Sequence, residues 1–91
     1  MSVADEAIEE TILGMVAERG PGKTICPSEA ARALGGPKPE GWSPLMPRVR
    51  RIAVRLMKEG RIVIRRKGRA VDPDDFRGVY RLGPPAGEGE G

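Results

Sequence analysis

Glycine and proline punctuation constrains this chain of 91 residues more than any other feature. Gly20-Pro21 stops whatever precedes it, because glycine enters the left-handed region cheaply and proline cannot continue a helix. Pro27 is placed to open a second helix, Gly35-Gly36 to close it, and Gly60 to end a third. Three helix-length stretches therefore fit before residue 60, with room for a short extended stretch between the first two, and residues 61–82 are left for the remaining strands.

The apolar spacing fills these stretches. Ser2 to Arg19 reads as a helix with Ser2 and Asp5 at capping-box spacing. Ile8, Ile12, Met15 and Val16 form its apolar stripe, with Leu13 at the edge. Lys23 to Cys26 is a short extended stretch. Pro27 then sits at the first helical position, with Cys26 as the cap and Glu29 two residues after the proline. Gly35 to Ser43 (GGPKPEGWS) reads as a loop that carries the single Trp42. A third helix begins at Ser43-Pro44 or Met46-Pro47 and runs to Glu59. Leu45, Val49, Ile52, Ala53 and Leu56 give it a stripe that the aliphatic side chains must fill, since aromatics make up only 3 % of the chain. Arg61 to Arg66 is β-branched at its centre, and Gly78 to Leu82 alternates with period two. Turn signals at Lys67-Gly68 and Asp72-Pro73 lie between them.

Three helices followed by a hairpin predict an α+β fold of the winged helix-turn-helix kind over residues 1–82. Residues 83–91 (GPPAGEGEG) form an acidic, low-complexity tail, expected to be disordered. The 35–43 connection is longer than the three- or four-residue turn of a helix-turn-helix.

Charge is unevenly distributed along the chain. Residues 1–40 hold four basic side chains against seven acidic ones, whereas residues 41–82 hold twelve against four. Arg48, Arg51, Arg55 and Lys58 recur at i, i+3, i+7 and i+10, which places them opposite the apolar stripe, with Arg50 on the flank. Arg65, Arg66, Lys67 and Arg69 cluster near the expected hairpin tip. Arginine suits base and phosphate recognition because its planar fork bonds bidentately. These nine side chains are the candidate nucleic-acid contacts, with duplex DNA as the expected partner, bound through helix 44–59 and the 61–82 wing. The competing reading of the stripe is the solvated face of an amphipathic helix. The competing function is a protein-docking module that presents the same helix and the Trp42 loop to an acidic partner.

Other chemistry finds little support. A single cysteine and no histidine exclude the common zinc sites and the His-based nucleophile pairs. No catalytic residue, metal or cofactor is expected, and the chain is read as a non-enzyme. Cys26, with no second cysteine to resolve it, reads as a packing residue rather than a redox sensor. Trp42, Phe76 and Tyr80 read as cover for the core. Ala17 to Thr24 (AERGPGKT) matches a phosphate-binding loop except at its first glycine, but such a loop follows a strand and leads directly into a helix. Asp72, Asp74 and Asp75 read as a turn, because Phe76 and Gly78 break the register of a calcium loop. No apolar run of 18 residues is present, and the N-terminus is acidic before its first apolar residues, so neither a membrane span nor a signal peptide is expected. A cytoplasmic monomer or weak dimer is the expectation.

The segments KTICPSEAARAL (23–34), W-x-x-LMP-x-VR-x-x-A (42–53) and RKGRAVDP (66–73), closed by Gly78 and Arg81-Leu82, resemble a family of small bacterial domains of unknown function. The matching positions are Thr24, Cys26, Pro27, Ser28, Glu29, Trp42, Leu45, Met46, Pro47, Val49 and Arg50. The resemblance implies a winged-helix-like domain and brings no activity, substrate or catalytic residue with it.

Overall fold

Helix α1 runs from Asp5 to Arg19 in the computed structural model, which describes residues 3–85. Ala4 is its cap, and Ser2, expected there, lies outside the described residues. Asp5 and Glu6 occupy the first turn, where carboxylates complement the positive end of the helix dipole. Ile8, Ile12 and Val16, spaced four apart, turn one face inward. Gly20 ends the helix at φ 96° and donates its N–H to the Val16 carbonyl.

Helix α2, Pro27–Gly35, has Pro27 at its first position. The Glu29 carboxylate accepts a 2.7 Å hydrogen bond from the Cys26 N–H, which closes the expected capping box. Its buried face is Ala30 and Ala31, small enough to let α1 and the third long helix approach closely.

The 35–43 segment differs from the loop expected of it. Pro39–Trp42 forms the one-turn helix α3, followed by a 3₁₀ turn at Ser43–Leu45. Three prolines work here as starters: Pro39, Pro44 and Pro47 all lie in the first turn of a helical element, where a missing N–H costs nothing. Helix α4 then spans Met46–Lys58, starting at the later of the two expected positions and ending one residue short of Glu59. Val49, Ile52, Ala53 and Leu56 are buried along it. Gly60, at φ 78°, turns the chain out so that the Arg61 N–H reaches the Leu56 carbonyl.

The strands are shorter and more numerous than expected. In place of 61–66 and 78–82, β1 is Val63–Arg66, β2 is Arg69–Ala70 and β3 is Arg81–Gly83. All pair antiparallel in the order β2-β1-β3, with Ile64 opposite Leu82 and Arg66 opposite Arg69. Ile25 extends the far edge by bridging to Leu82. The β1–β2 turn holds Lys67 at φ 53° and Gly68 at φ 80°, two successive left-handed residues, the conformation that matches the twist of a tight hairpin. Gly83, assigned by sequence to the tail, closes β3; residues 86–91 of that tail lie outside the described residues.

One core joins these parts. Ile8, Ile12, Ile25, Leu56, Ile62, Ile64 and Leu82 are fully enclosed, and no charged or polar residue is buried among the described residues. Phe76 and Tyr80 close one side as an edge-to-face pair with centroids 5.3 Å apart. The result is a small α+β domain, three principal helices and a three-stranded sheet, in an arrangement compatible with a winged helix. No helix of the described residues is long and apolar enough to cross a membrane.

Candidate nucleic-acid interface

The nine cationic candidates do not share one environment. Arg48 donates to Asp5 at 2.7 Å and to the Val3 carbonyl, tying α4 to the start of α1. Two turns of helix further along the same face, Arg55 bridges Glu9 at 2.6 Å and Glu59 at 3.2 Å. Arg61 joins this network through Glu9 and Glu59, at 3.0 and 3.6 Å. Lys58 pairs with Asp74 at 2.6 Å and so holds the C-terminal end of α4 against the 72–75 turn. The acidic N-terminal helix thus neutralises much of the face that the i, i+3, i+7 pattern singled out.

Arg50 is held differently. Its guanidinium lies 3.8 Å from the Phe76 ring centroid and 5.8 Å from that of Tyr80, and it donates a 2.7 Å hydrogen bond to the Phe76 carbonyl. It therefore fastens the segment between β2 and β3 to α4. Arg66 does related work in the sheet, donating at 2.9 Å to the Val79 carbonyl while its guanidinium covers Gly78. Gly78 is at φ 84°, and a β-carbon there would come within 2.8 Å of the Arg66 fork.

Arg51, Lys67 and Arg69 remain. All three are exposed, and none makes a hydrogen bond or ion pair among the described residues. Lys67 stands at the apex of the β1–β2 turn and Arg69 next to it on β2. Arg65 is half-buried and borders a cleft described below. Arg77, exposed and likewise without a hydrogen bond or ion pair among the described residues, was not among the sequence-predicted contacts. Its isolated position in the 67–77 connection gave no periodicity by which to find it.

The aromatic and sulfur candidates are structural in placement. Trp42 is half-buried against the core, with the Arg32 guanidinium 5.6 Å from its ring. The Cys26 sulfur lies 3.1 Å from the Ser28 hydroxyl, at the N-terminus of α2. Burial raises the Tyr80 hydroxyl above its ordinary pKa, and that hydroxyl has no hydrogen-bond partner among the described residues. No group of three or more metal-ligating side chains comes together among the described residues.

The ion pairs carry a pH signature. The Arg48 hydrogen bond holds the Asp5 carboxyl below the ordinary carboxylate range, and Arg55 followed by Arg61 does the same for Glu9. Glu29 is lowered by the Cys26 backbone N–H first and by Arg19 second. A carboxyl with a lowered pKa in the folded state binds protons more readily when unfolded. Its stabilising contribution is therefore present above the unfolded value, about 4, and is lost as pH falls through and below it. The melting temperature is expected to stay level from neutral pH to about pH 5 and to fall steadily below that. In Arg48→Ala and Arg55→Ala the fall should be shallower. An unchanged melting temperature down to about pH 3 would show that these pairs contribute nothing.

A cleft of about 310 Å³ opens between the Gly22–Thr24 loop, the Gly68 turn and Pro84-Pro85, with Lys23 and Arg65 on its walls. Sequence reasoning passed over this site. The only signal was the GPGKT fragment, set aside because its context is wrong for a phosphate-binding loop. The structure agrees on that context: α1 precedes the fragment, and Ile25 after it pairs with β3.

No curated protein matches the chain. The family model described as "Protein of unknown function (DUF3253)" matches residues 5–85, a span that takes in every helix and strand described above, and the chain belongs to that family.

Proposed function

We propose that the domain binds duplex nucleic acid through its phosphate backbone, led by the wing rather than by α4. The observation that carries this reading is the cationic hairpin apex, where Lys67 stands exposed in the two-residue turn and Arg69 exposed beside it on β2, neither with a carboxylate partner among the described residues. Arg51 adds an exposed guanidinium from the first half of α4. Arg48, Arg55 and Lys58 are compensated by Asp5, Glu9, Glu59 and Asp74, so a phosphate would have to displace a carboxylate to reach them. Such a footprint favours affinity over sequence discrimination, because phosphate contacts carry no base information. The Trp42 docking reading loses ground, since the indole packs on the core beneath Arg32.

Anisotropy of a labelled random 20-base-pair duplex tests the proposal. About three phosphate contacts give a log–log salt slope of roughly −3. Lys67→Ala with Arg69→Ala should weaken binding about tenfold or more at low salt and flatten the slope by about 2. Arg48→Ala and Lys58→Ala should leave affinity near that of the parent. Absence of binding at low salt refutes the reading, and so does a slope that the wing variant does not change.

A further inference from the structure

On the strength of the duplex reading above, we infer that the Arg77-Gly78-Val79 loop is a second contact, which enters the minor groove of A·T-rich duplex. Three residues project here between two buried aromatic side chains. Phe76 and Tyr80 are each 7 % exposed, whereas Val79 is 82 % exposed, the one large hydrophobic side chain so placed among the described residues. Arg77 is exposed as well and forms no ion pair with Asp72, Asp74 or Asp75 of its own connection, Asp74 being held by Lys58. The loop is fastened at both ends. Arg50 donates at 2.7 Å to the Phe76 carbonyl from α4, and Arg66 donates at 2.9 Å to the Val79 carbonyl from the sheet. Gly78, at φ 84°, lies under the Arg66 guanidinium, where a β-carbon would come within 2.8 Å of Nη2. Exposed side chains on a backbone fixed in this way form a preorganised contact, which loses little conformational freedom on binding.

This loop stands beside the wing. Arg66 and Arg69 face each other across β1 and β2, and directly opposed side chains leave an antiparallel sheet on the same side. Because the Arg66 side chain reaches the backbone of Gly78 and Val79, Arg69 and the loop share that side. Lys67-Gly68 and Arg77-Gly78 are thus two neighbouring projections, each an exposed cation followed by a glycine at positive φ. Helix α4 is hemmed in instead. Arg48 and Arg55 tie one flank to α1, Arg50 and Lys58 tie the other to the 72–80 segment, and Arg51 alone of its five cations is unengaged among the described residues. A helix covered on both flanks cannot fill a major groove about 12 Å wide, whereas narrow loops fit a minor groove of about 6 Å. Arginine is drawn to that groove where A·T pairs narrow it and strengthen its negative potential. Beside Arg77, Val79 supplies an apolar contact of the kind that minor-groove proteins set against base steps. The guanine 2-amino group stands in the floor of the groove and opposes both side chains, so the loop adds a coarse preference for A·T pairs to the phosphate contacts of the wing.

Anisotropy with three labelled 20-base-pair duplexes tests this: one A·T-rich, one G·C-rich, and one with inosine in place of every guanine of the second. Inosine lacks the 2-amino group, so its pair with cytosine looks like A·T in the minor groove and like G·C in the major groove. The A·T and inosine duplexes should bind alike, and about five- to tenfold more tightly than the G·C duplex. Arg77→Ala should weaken binding to the A·T duplex about tenfold and remove most of the preference, and Val79→Ala should weaken it about threefold. Both positions are exposed, and a melting temperature equal to that of the parent shows that each variant is folded. Equal affinity for the A·T and G·C duplexes, an inosine duplex that binds like G·C, or an A·T affinity unchanged in Arg77→Ala overturns the inference and leaves the wing proposal standing. Failure to bind any of the three at low salt refutes the wing proposal, and this one with it.

Discussion

Gly35→Ala is expected to lower the melting temperature by roughly 10–20 °C, the equivalent of about 2–3 kcal/mol in a domain of this size. Gly35 ends α2 where the chain doubles back into α3, and the two backbones touch there. A β-carbon on Gly35 would collide with the Gly41 carbonyl oxygen, and would lie 2.7 Å from the Gly41 carbonyl carbon and 2.8 Å from Trp42 Cα. All three are backbone atoms, so no rotamer change relieves the clash, and α3 must move off α2. A β-carbon on Gly41 would in turn strike the Gly35 carbonyl. Gly14→Ala is the matched control. Gly14 lies exposed within α1 with nothing within 4 Å of an added β-carbon, and alanine there should stabilise by about 0.5–1 kcal/mol. Thermal unfolding followed by far-ultraviolet circular dichroism measures both. A Gly35→Ala protein as stable as the parent would show that the α2–α3 contact is looser than described.

Arg50→Lys is expected to cost about 2 kcal/mol of stability, most of what Arg50→Ala would cost. Lysine keeps the charge but not the flat fork that stacks 3.8 Å from the Phe76 centroid while donating to the Phe76 carbonyl. Without it, the 72–80 segment loses its main tie to α4 other than the Lys58–Asp74 pair. Duplex affinity, measured well below the melting temperature of the variant, should change less than about threefold, because the guanidinium is already committed inside the fold. Unchanged stability with strongly weakened binding would reverse this assignment and make Arg50 a contact residue.

These two positions also mark how far local reasoning reaches. Cys26, Pro27 and Glu29 form the capping box that their spacing announces, because a cap is a matter of three or four neighbouring residues. The turns at Lys67-Gly68 and Asp72–Asp75 are equally local; in the second, Asp74 donates its N–H to the Asp72 carboxylate at 2.9 Å. The 35–43 segment departs from its expected loop for a physical reason. Proline forbids the interior of a helix but suits its first turn, and two short elements followed directly by α4 offer three first turns in quick succession. Strand β2 escaped notice because two residues, Arg69-Ala70, carry no periodicity.

By itself the sequence determined the three long helices, the Cys26–Glu29 cap of the second and the glycines at which they stop, the buried stripes Ile8–Ile12–Val16 and Val49–Ile52–Ala53–Leu56, and the excess of cations after residue 41. Only the tertiary structure decided which of those cations are available. Arg48 meets Asp5 across 43 residues of chain, Arg55 meets Glu9 across 46, and Arg81 meets Thr24 across 57. Helix periodicity says which face a side chain occupies, but not what a distant segment brings to that face. Charge compensation depends on separations of a few ångströms, and those are set by how α1 and the Gly22–Thr24 loop pack against α4 and the sheet.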